Sequence, residues 1–449
     1  MTSRRNFLRF GCCSVSALTA ASQFSRLGAI NAFAQSTGDY KALVCIFMFG
    51  GNDANNTVLP YSTQYTQYAA VRGSLAIPQG QILQCPTPSG VTYGLHPSFA
   101  ALHPLWAQKR LAIMANVGML VRPTTRQQYQ TGGQVPSNLF SHSDQTSQWQ
   151  TGMPLGGTTG WGGRIADKLN QYGINQPSSF PMGVSVSGGA LLLNGVNSKP
   201  ATVTPGQTST GLEGTNPNST AMVARDLSVQ QLLEMDSGLA LVQAASANTK
   251  EGIRIAQLIS QATSTNPLAT QFPTTGLGNQ LAQIARLIQV RSLLGMRRQI
   301  FFASIGGFDT HSNQLPDHIN LLTQVSDAMA AFHNATVELG VANQVTTFTE
   351  SEFSRTFQPS QGAGTDHAWG GHHLVMGAAV KGGDLYGRFP TLALQGPDDS
   401  GNRGNWIPAT SLDQYGATLA LWFGVPQSDL LSVFPNLANF TTQNLGFML

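Results

Sequence analysis

The chain has 449 residues, only 10% of them charged, and a formal net charge of +3. Four arginines and no acidic residue lie within the first 34 residues, and removing those four positive charges from +3 leaves −1 for the remainder. This balance, without a Lys/Arg stripe, argues against a nucleic-acid-binding protein and against binding to an acidic membrane surface.

The N-terminus has the pattern of an export signal. A twin-arginine motif, Thr2 to Arg9, precedes an apolar run and an Ala32-Phe33-Ala34 cleavage site. We therefore predict a twin-arginine signal peptide at 1–34, the Tat export machinery as a partner, and a periplasmic or extracellular mature protein. The apolar run is too short and too polar to span a bilayer, so no membrane span is expected in the mature chain.

The first half of the mature chain contains three strand-like apolar runs. Lys41 to Phe49 is the first, and it ends at a Gly-Gly-Asn-Asp turn; Leu111 to Val117 and Met182 to Val186 follow. Cys45 lies inside the first run and is expected to pack as a small apolar residue, with a disulfide to Cys85 as the alternative.

The second half alternates between helical and strand patterns. Residues 195–220 are rich in Gly, Thr, Asn, Ser and Pro, which predicts a polar cap loop within an insertion at about 190–275. Helical spacing at 277–288 and 316–340 flanks a strand at 299–305, and another strand follows at 344–349. The alternation predicts a single α/β domain at 35–449, with a mostly parallel central sheet sandwiched between helices.

Several strand ends carry carboxylates or histidines. Ligands bind at the carboxyl ends of strands in open α/β sheets, and mixed Asp, Glu and His clusters suit divalent metals. The candidate metal ligands are Asp53, Asp309, His311, Glu352, Asp366, His367 and His372. Each candidate also has a purely structural interpretation. Asp53 could form a turn or cap a helix, and Asp309 with His311 could form an Asx-turn. Glu352 could form an ion pair with Arg355, and the remaining histidines could be solvated or cap main-chain groups.

A polar segment before a predicted helix offers candidate nucleophiles. Ser141, His142 and Ser143 lie where free backbone N–H groups favour an anionic substrate or intermediate, and the alternative is a simple N-cap serine. Arg164 is a candidate oxyanion clamp or a residue that fixes a loop. His318 and His333 fall on the 316–340 helix and are expected at its surface or at the edge of the core.

Four motifs in this order, GGND, GGFDTH, SEFSRT and GTDHAWGG, resemble those of a Tat-exported group, domain-of-unknown-function family 1501. That family is related to the alkaline phosphatase and sulfatase superfamily. The resemblance implies an alkaline-phosphatase-like fold with two metal ions at the strand ends. Asp53 matches the metal-binding Asp of the first strand, and Asp309 with His311 resembles the pair that binds the metal on the water side.

The resemblance leaves two assignments open. In the first assignment, Asp366-His367 corresponds to the Asp-His pair of the superfamily. In the second, Glu352 takes the place of that pair, because it stands at the strand end where the pair usually lies, and His367 matches a later histidine. Before Thr151-Gly152 the chain resembles the sulfatase nucleophile signature, which puts His142 in the nucleophile position. A shift of one residue puts Ser141 or Ser143 there.

Two classes of function follow. The first is an exported metal-dependent hydrolase or transferase of phosphate or sulfate esters, with Arg355 or Arg164 balancing negative charge and with zinc, manganese or iron favoured over calcium. The second is a catalytically inactive, exported metal-binding or assembly protein of the same fold, suggested by the missing Ser or Thr nucleophile. The polar composition alone suggests a third, a carbohydrate-binding surface protein.

Overall fold

Within the described residues, a nine-stranded sheet forms the centre of the protein. A computed structural model describes residues 39–62, 64–206, 219–235, 238–263 and 267–449, so the signal peptide predicted at 1–34 lies outside the described residues. Lys41–Leu449 form one compact unit.

The strands are numbered in chain order. They are β1 (Lys41–Met48), β2 (Val58–Pro60), β3 (Leu83–Pro86), β4 (Thr92–Leu95), β5 (Leu111–Gly118), β6 (Gly183–Ser185), β7 (Ala201–Thr202), β8 (Arg298–Ile305), β9 (Val345–Ser351), β10 (Gly371–Met376), β11 (Leu385–Gly387) and β12 (Thr410–Ser411). The central sheet has the order β11-β5-β10-β9-β1-β8-β6-β7, with β12 also paired to β5. Only β10 runs antiparallel to its neighbours, which confirms the expected mostly parallel sheet.

The α-helices of the described residues are also numbered in chain order. They are α1 (Ala54–Thr57), α2 (Tyr65–Arg72), α3 (Pro104–Ala107), α4 (Arg126–Gln130), α5 (His142–Thr151), α6 (Trp161–Gln171), α7 (Thr220–Glu234), α8 (Ala240–Thr263), α9 (Gly276–Gln289), α10 (Gln314–Glu338), α11 (Leu412–Phe423) and α12 (Leu430–Val433). Strands β2, β4 and β3 form a separate antiparallel sheet.

The central strands are buried on both faces, as parallel sheets covered by helices require. Every residue of β5 and β9 is buried, and so is every residue of β1 after Lys41. Sequence signals define the ends of the covering helices: Thr275 accepts a hydrogen bond from Gly278 N at the start of α9, and Ser411 forms a capping box with Gln414 at the start of α11.

The structure corrects three expectations about local structure. The region 195–220 is not loop alone, because β7 adds to the sheet edge and α7 begins at Thr220; residues 207–218 lie outside the described part. The helical spacing predicted at 316–340 includes Ile319 among the apolar positions expected to be buried, yet the side chain of Ile319 is exposed. His318 and His333 are both buried. Neither lies at the surface, because α10 packs against α9 and against the Pro97–Phe99 turn.

Two further expectations concern the cysteines and the membrane. Cys45 and Cys85 are buried free thiols, so the structure contains the apolar packing expected for Cys45 and not the alternative disulfide. Among the described helices, none is both long enough and apolar enough to cross a lipid bilayer.

Candidate metal centre

The site lies where β1, β8 and β9 end together. The strand register pairs Met48 of β1 with Ile305 of β8 on one side and with Ser351 of β9 on the other. Because parallel strands in this register end at the same sheet edge, the turns that follow them meet there. The turn after β8 contains Asp309, and the turn after β9 contains Glu352.

Four side chains converge at this edge: Asp309, His142, His311 and His367. The Nε2 atoms of His311 and His367 lie 3.0 and 3.2 Å from Asp309 Oδ1, and they are 3.0 Å from each other. The Nε2 atom of His142 lies 3.5 Å from Asp309 Oδ2. In the described part of the chain, one ligand atom from each of His142, Asp309 and His367 lies within 4.8 Å of the other two, close enough to share one ion.

The tautomer of His367 follows from its second contact. Its Nδ1 lies 2.7 Å from the main-chain oxygen of Phe140. A carbonyl oxygen only accepts hydrogen bonds, so Nδ1–H is the donor. In the neutral ring the Nε2 lone pair is then free and faces Asp309. Burial is the main cause of a lowered pKa for His367, which keeps the ring neutral at physiological pH.

The other two histidines have carboxylates behind them. Nδ1 of His142 contacts Glu352 Oε2, and the second oxygen of Glu352 accepts a hydrogen bond from Gly50 N at 2.9 Å. Nδ1 of His311 lies 3.4 Å from Asp366 Oδ1. An ionised carboxylate only accepts hydrogen bonds, so the tautomer that donates from Nδ1 to the carboxylate behind it is the one whose Nε2 presents a lone pair to a metal ion. Glu352 and Asp366, both predicted as ligands, therefore lie behind two histidines.

This donor set fits a divalent metal ion. Each of the three Nε2 atoms lies 3.0–3.5 Å from an oxygen of Asp309, so in the tautomers with Nδ1–H three lone pairs point at one carboxylate, an arrangement that a shared cation would stabilise. Burial raises the pKa of Asp309, but the hydrogen bond and charge of Arg355 outweigh burial and leave the pKa below its usual value. Imidazole with carboxylate suits zinc, manganese or iron.

Unusual backbone conformations position two of the histidines. Asn138 and Phe140 have φ values of +48° and +74°, and for a phenylalanine the left-handed conformation is strained. This turn directs the Phe140 carbonyl at His367 and begins α5 at His142. Gly364 lies against His311, where an added Cβ would come within 2.0 Å of the His311 carbonyl oxygen. Only glycine allows the two segments to approach so closely.

An aromatic ring covers the inner side of the histidines. Phe353 is buried and stacks on His367 with ring centroids 4.6 Å apart, and its centroid lies 5.0 Å from that of His142. The opposite side is open, since the side chains of Asp309 and His311 are each 45% exposed. A small solute can therefore reach the cluster from the side of Asp309 and His311.

Two arginines adjoin the cluster in different ways. The Arg355 side chain is fully buried; it contacts Asp309 and three main-chain carbonyls, so it lies behind the carboxylate and away from the open face. Arg403 is partly exposed and pairs with Asp366. For Asp366, too, burial raises the pKa, and the hydrogen bond and charge of Arg403 bring it below the usual value.

Asp53 does not join the cluster. Its carboxylate is fully buried in an ion pair with Arg72 and also accepts hydrogen bonds from Gln314 and from Asn55 N. It caps the short helix α1, so the structural alternative for Asp53 describes its observed contacts. The metal ligand expected at this position is thus engaged by a guanidinium.

His372 and Arg164 also lie elsewhere. The buried ring of His372 accepts a hydrogen bond at Nδ1 from Asn116 N and stacks on Phe389 with centroids 4.7 Å apart. The guanidinium of Arg164 donates to the carbonyls of Val433, Thr159 and Thr151, at distances of 2.5–2.9 Å. Arg164 therefore fixes loops around α6 and is not available to an oxyanion.

Neither candidate serine presents a free hydroxyl to the cluster. Ser141 Oγ donates to Asp144 Oδ2 at 2.6 Å, and Ser143 Oγ lies 3.4 Å from the same oxygen. His142 alone of the segment 141–143 contacts Asp309. Sequence reasoning missed three residues that shape the site: Phe140, Phe353 and Arg403. Phe353 lies inside the SEFSRT motif, but nothing in the local sequence distinguishes the other two.

The family expected from the motifs is confirmed. Residues 40–402 match the family described as Protein of unknown function (DUF1501). The chain belongs to this family. The match spans the three strands whose ends form the cluster, together with all four of its members. A search of the curated proteins gave no match for this DUF1501 member.

Several solved structures resemble this DUF1501 member at very low identity. The sulfatase PsFucS1 from Pseudoalteromonas sp. is 8% identical, with 89% of this chain and 71% of that chain covered and a TM-score of 0.34. The phosphonate monoester hydrolase SpPMH from Silicibacter pomeroyi is 8% identical, with 86% and 73% covered and a TM-score of 0.35. The lipoteichoic acid synthase LtaP from Listeria monocytogenes is 6% identical, with 90% and 76% covered and a TM-score of 0.33. No residue role follows from similarities this weak.

Proposed function

We propose that the protein is an exported metal-dependent hydrolase or transferase acting on phosphate or sulfate esters. One observation carries the proposal: the Nε2 atoms of three histidines each lie 3.0–3.5 Å from Asp309, while the Nδ1 of each histidine contacts an oxygen behind it. Such second contacts are typical of metal-binding histidines. The ester class rests on the resemblance of the motifs to the alkaline phosphatase and sulfatase superfamily.

The chain's own residues have distinct roles in this proposal. His142, His311, His367 and Asp309 would hold a zinc, manganese or iron ion, and Glu352 and Asp366 would orient two of the rings. A divalent ion in this position supplies Lewis acidity toward an ester oxygen and lowers the pKa of water. Arg403, partly exposed beside Asp366, is the side chain best placed to meet an anionic group entering from the open face.

The contacts of segment 141–143 favour water as the nucleophile. His142 is held between Glu352 and Asp309, and the hydroxyl groups of Ser141 and Ser143 are both directed at Asp144. The same observation supports the second candidate, a metal-binding or assembly protein without catalytic activity. The two candidates differ in turnover and not in metal content.

The location of the activity follows from the predicted signal peptide. A twin-arginine signal at 1–34 would direct export of the folded protein, and the substrate would then be an ester outside the cytoplasm. The signal itself lies outside the described residues, so this part of the proposal rests on the sequence.

The test is turnover of chromogenic esters by the metal-loaded protein. p-Nitrophenyl phosphate, bis(p-nitrophenyl) phosphate and p-nitrophenyl sulfate represent a phosphate monoester, a phosphate diester and a sulfate ester, each assayed with Zn²⁺, Mn²⁺ or Fe²⁺ and again with excess chelator. We expect one ester class to be hydrolysed, the chelator to abolish the rate, and His367→Ala to lower kcat at least 100-fold.

A control variant distinguishes a loss of activity at the metal site from a general loss of folded structure. His103→Ala removes a histidine outside the cluster, whose Nε2 lies 2.7 Å from Gln84 O, and should keep the wild-type rate. A metal-loaded protein that is inert on all three esters would favour the non-catalytic candidate. A protein that binds none of the three metals would exclude both.

A further inference from the structure

Arg355 holds a group of oxygen atoms that would otherwise suit a cation. Its Nε donates to Gly51 O at 2.9 Å and its Nη1 to Thr365 O at 3.0 Å, while Nη2 contacts Gly50 O and Asp309 Oδ1. Carbonyl and carboxylate oxygens are also the ligands of hard divalent ions. The guanidinium therefore lies among oxygens that could bind such an ion.

The GGND turn is shaped for this contact. Gly50 and Gly51 have φ values of +105° and +84°, which turn both carbonyls toward Arg355. An added Cβ on Gly50 would meet Asp309 N at 2.4 Å, and one on Gly51 would meet the Phe353 ring at 2.2 Å. The two glycines thus bring the end of β1 against Asp309 and supply two of the four oxygens.

A second arginine, Arg72, forms an ion pair with Asp53, the carboxylate that follows β1. Arg72 and Asp53 are both fully buried and paired, and Arg72 also donates to Thr356 O and Phe357 O at 3.2 and 3.1 Å. Both carboxylates that follow β1 and β8 therefore have a guanidinium partner. Only Asp309 also faces histidine nitrogens, and its Oδ1 is shared between Arg355 and the cluster.

We infer that the permanent positive charge of Arg355 takes the place of a second metal ion at the strand ends. The centre therefore binds one divalent ion and not the two that the motifs predicted. The inference rests on the proposed function, because it assumes that the histidine cluster binds metal. Arg355 acts through Asp309: it fixes the carboxylate that would be shared with the ion and does not itself meet the substrate.

The first test is the metal content of the full mature chain. The protein is stripped with chelator, dialysed to equilibrium against Mn²⁺, and analysed by elemental mass spectrometry. We expect one Mn²⁺ per wild-type chain. Two ions per chain would overturn the inference and leave the proposed function intact. No bound ion would overturn the proposed function, and the inference with it.

Two substitutions test the role of the guanidinium directly. Arg355→Ala exposes four oxygens to whatever cation is present, so we expect a second, weaker Mn²⁺ site; Arg355→Lys keeps a positive charge and should retain one ion. A folded Arg355→Ala protein that still binds a single ion would contradict the inference. If Arg355→Ala fails to fold, the wild-type and Arg355→Lys ratios decide the question.

The chain offers a matched control. Arg164 is another buried arginine bonded to main-chain carbonyls, but it lies away from the cluster. Arg164→Ala should lower stability and leave one Mn²⁺ per chain. A change in the ion count in this control as well would show that loss of any buried arginine alters metal content, and the assignment to Arg355 would fail.

Discussion

At the scale of single residues, orientation matters as much as residue type. His142, His311 and His367 each make a contact at Nδ1 and direct Nε2 toward Asp309, and the groups at Nδ1 are two carboxylates and one main-chain carbonyl. A histidine whose ring is fixed in this way loses less entropy when it binds an ion. The residues behind the histidines should therefore affect metal affinity without touching the metal.

Glu352→Gln tests this expectation. Glutamine keeps the size of the side chain but loses the charge that holds Nδ1 of His142, so we expect metal affinity to fall by about 10–100-fold. Competition with a chromogenic chelator measures the change. Asp317→Asn, which removes an exposed carboxylate in the first turn of α10, is the control and should leave affinity unchanged. Equal affinities of the wild-type and Glu352→Gln proteins would contradict the orienting role.

The sequence predicted which residues lie at the strand ends, but it did not predict which side chains those residues contact. Asp309 and His311 were selected because they follow an apolar run, and His142 because it precedes a helix. His367 was selected because it lies in the Gly-rich GTDHAWGG segment, and these four converge. Asp53 met the same criterion as Asp309, yet it pairs with Arg72, which lies 19 residues further along the chain. No local pattern shows which carboxylate will meet a guanidinium and which will meet a histidine.

At the scale of elements, close packing of turns brings the cluster together. The strand register places the ends of β1, β8 and β9 side by side. The segment before β10 contacts the turns that follow β8 and β9, through Thr365 N with Thr310 O and through Arg355 Nη1 with Thr365 O. Gly364 belongs to this segment and touches the His311 main chain. A side chain at position 364 would push apart the two turns that contain His311 and His367.

Gly364→Ala tests the packing of these turns. The added Cβ would meet the His311 carbonyl oxygen at 2.0 Å, so we expect a loss of about 1–3 kcal/mol in unfolding free energy and a weaker affinity for metal. Urea denaturation and chelator competition measure the two effects. The control is Gly306→Ala in the turn after β8, where a Cβ meets no atom within 4 Å and both quantities should stay near wild type. Similar losses in the two variants would argue against a specific contact at Gly364.

At the scale of the whole molecule, buried histidines connect stability to pH. Burial, reinforced by the positive charges of Arg72 and Arg355, lowers the pKa of His318 to about 3, and burial is also the main cause of a pKa of about 3 for His96. In an unfolded chain each ring titrates near pH 6.5. Between these values the unfolded state binds more protons than the folded state, so acid favours unfolding.

We therefore expect the unfolding free energy of the metal-free protein to fall as the pH drops from about 6.5 toward 4.5. His318→Gln can keep a donor for Asn52 Oδ1 but has no titrating ring, so the fall should be smaller by about 2 kcal/mol. Urea denaturation from pH 7.5 to 4.5, with chelator present throughout, measures both proteins against their own values at pH 7.5. Parallel curves for the two proteins would show that the pKa of His318 is the same in the folded and unfolded states, which would contradict the effect of burial.

The sequence by itself determined the mostly parallel sheet, because its apolar runs and amphipathic helices alternate along the chain, and it determined which residues stand at the strand ends. Only the tertiary structure decided which of those residues meet. Ion pairs such as Asp53 with Arg72, and the Phe140 carbonyl that orients His367, depend on contacts between residues far apart in the sequence. Hydrophobic periodicity acts over a few residues and can be read locally, whereas the choice among partners for a charge depends on the fully assembled fold.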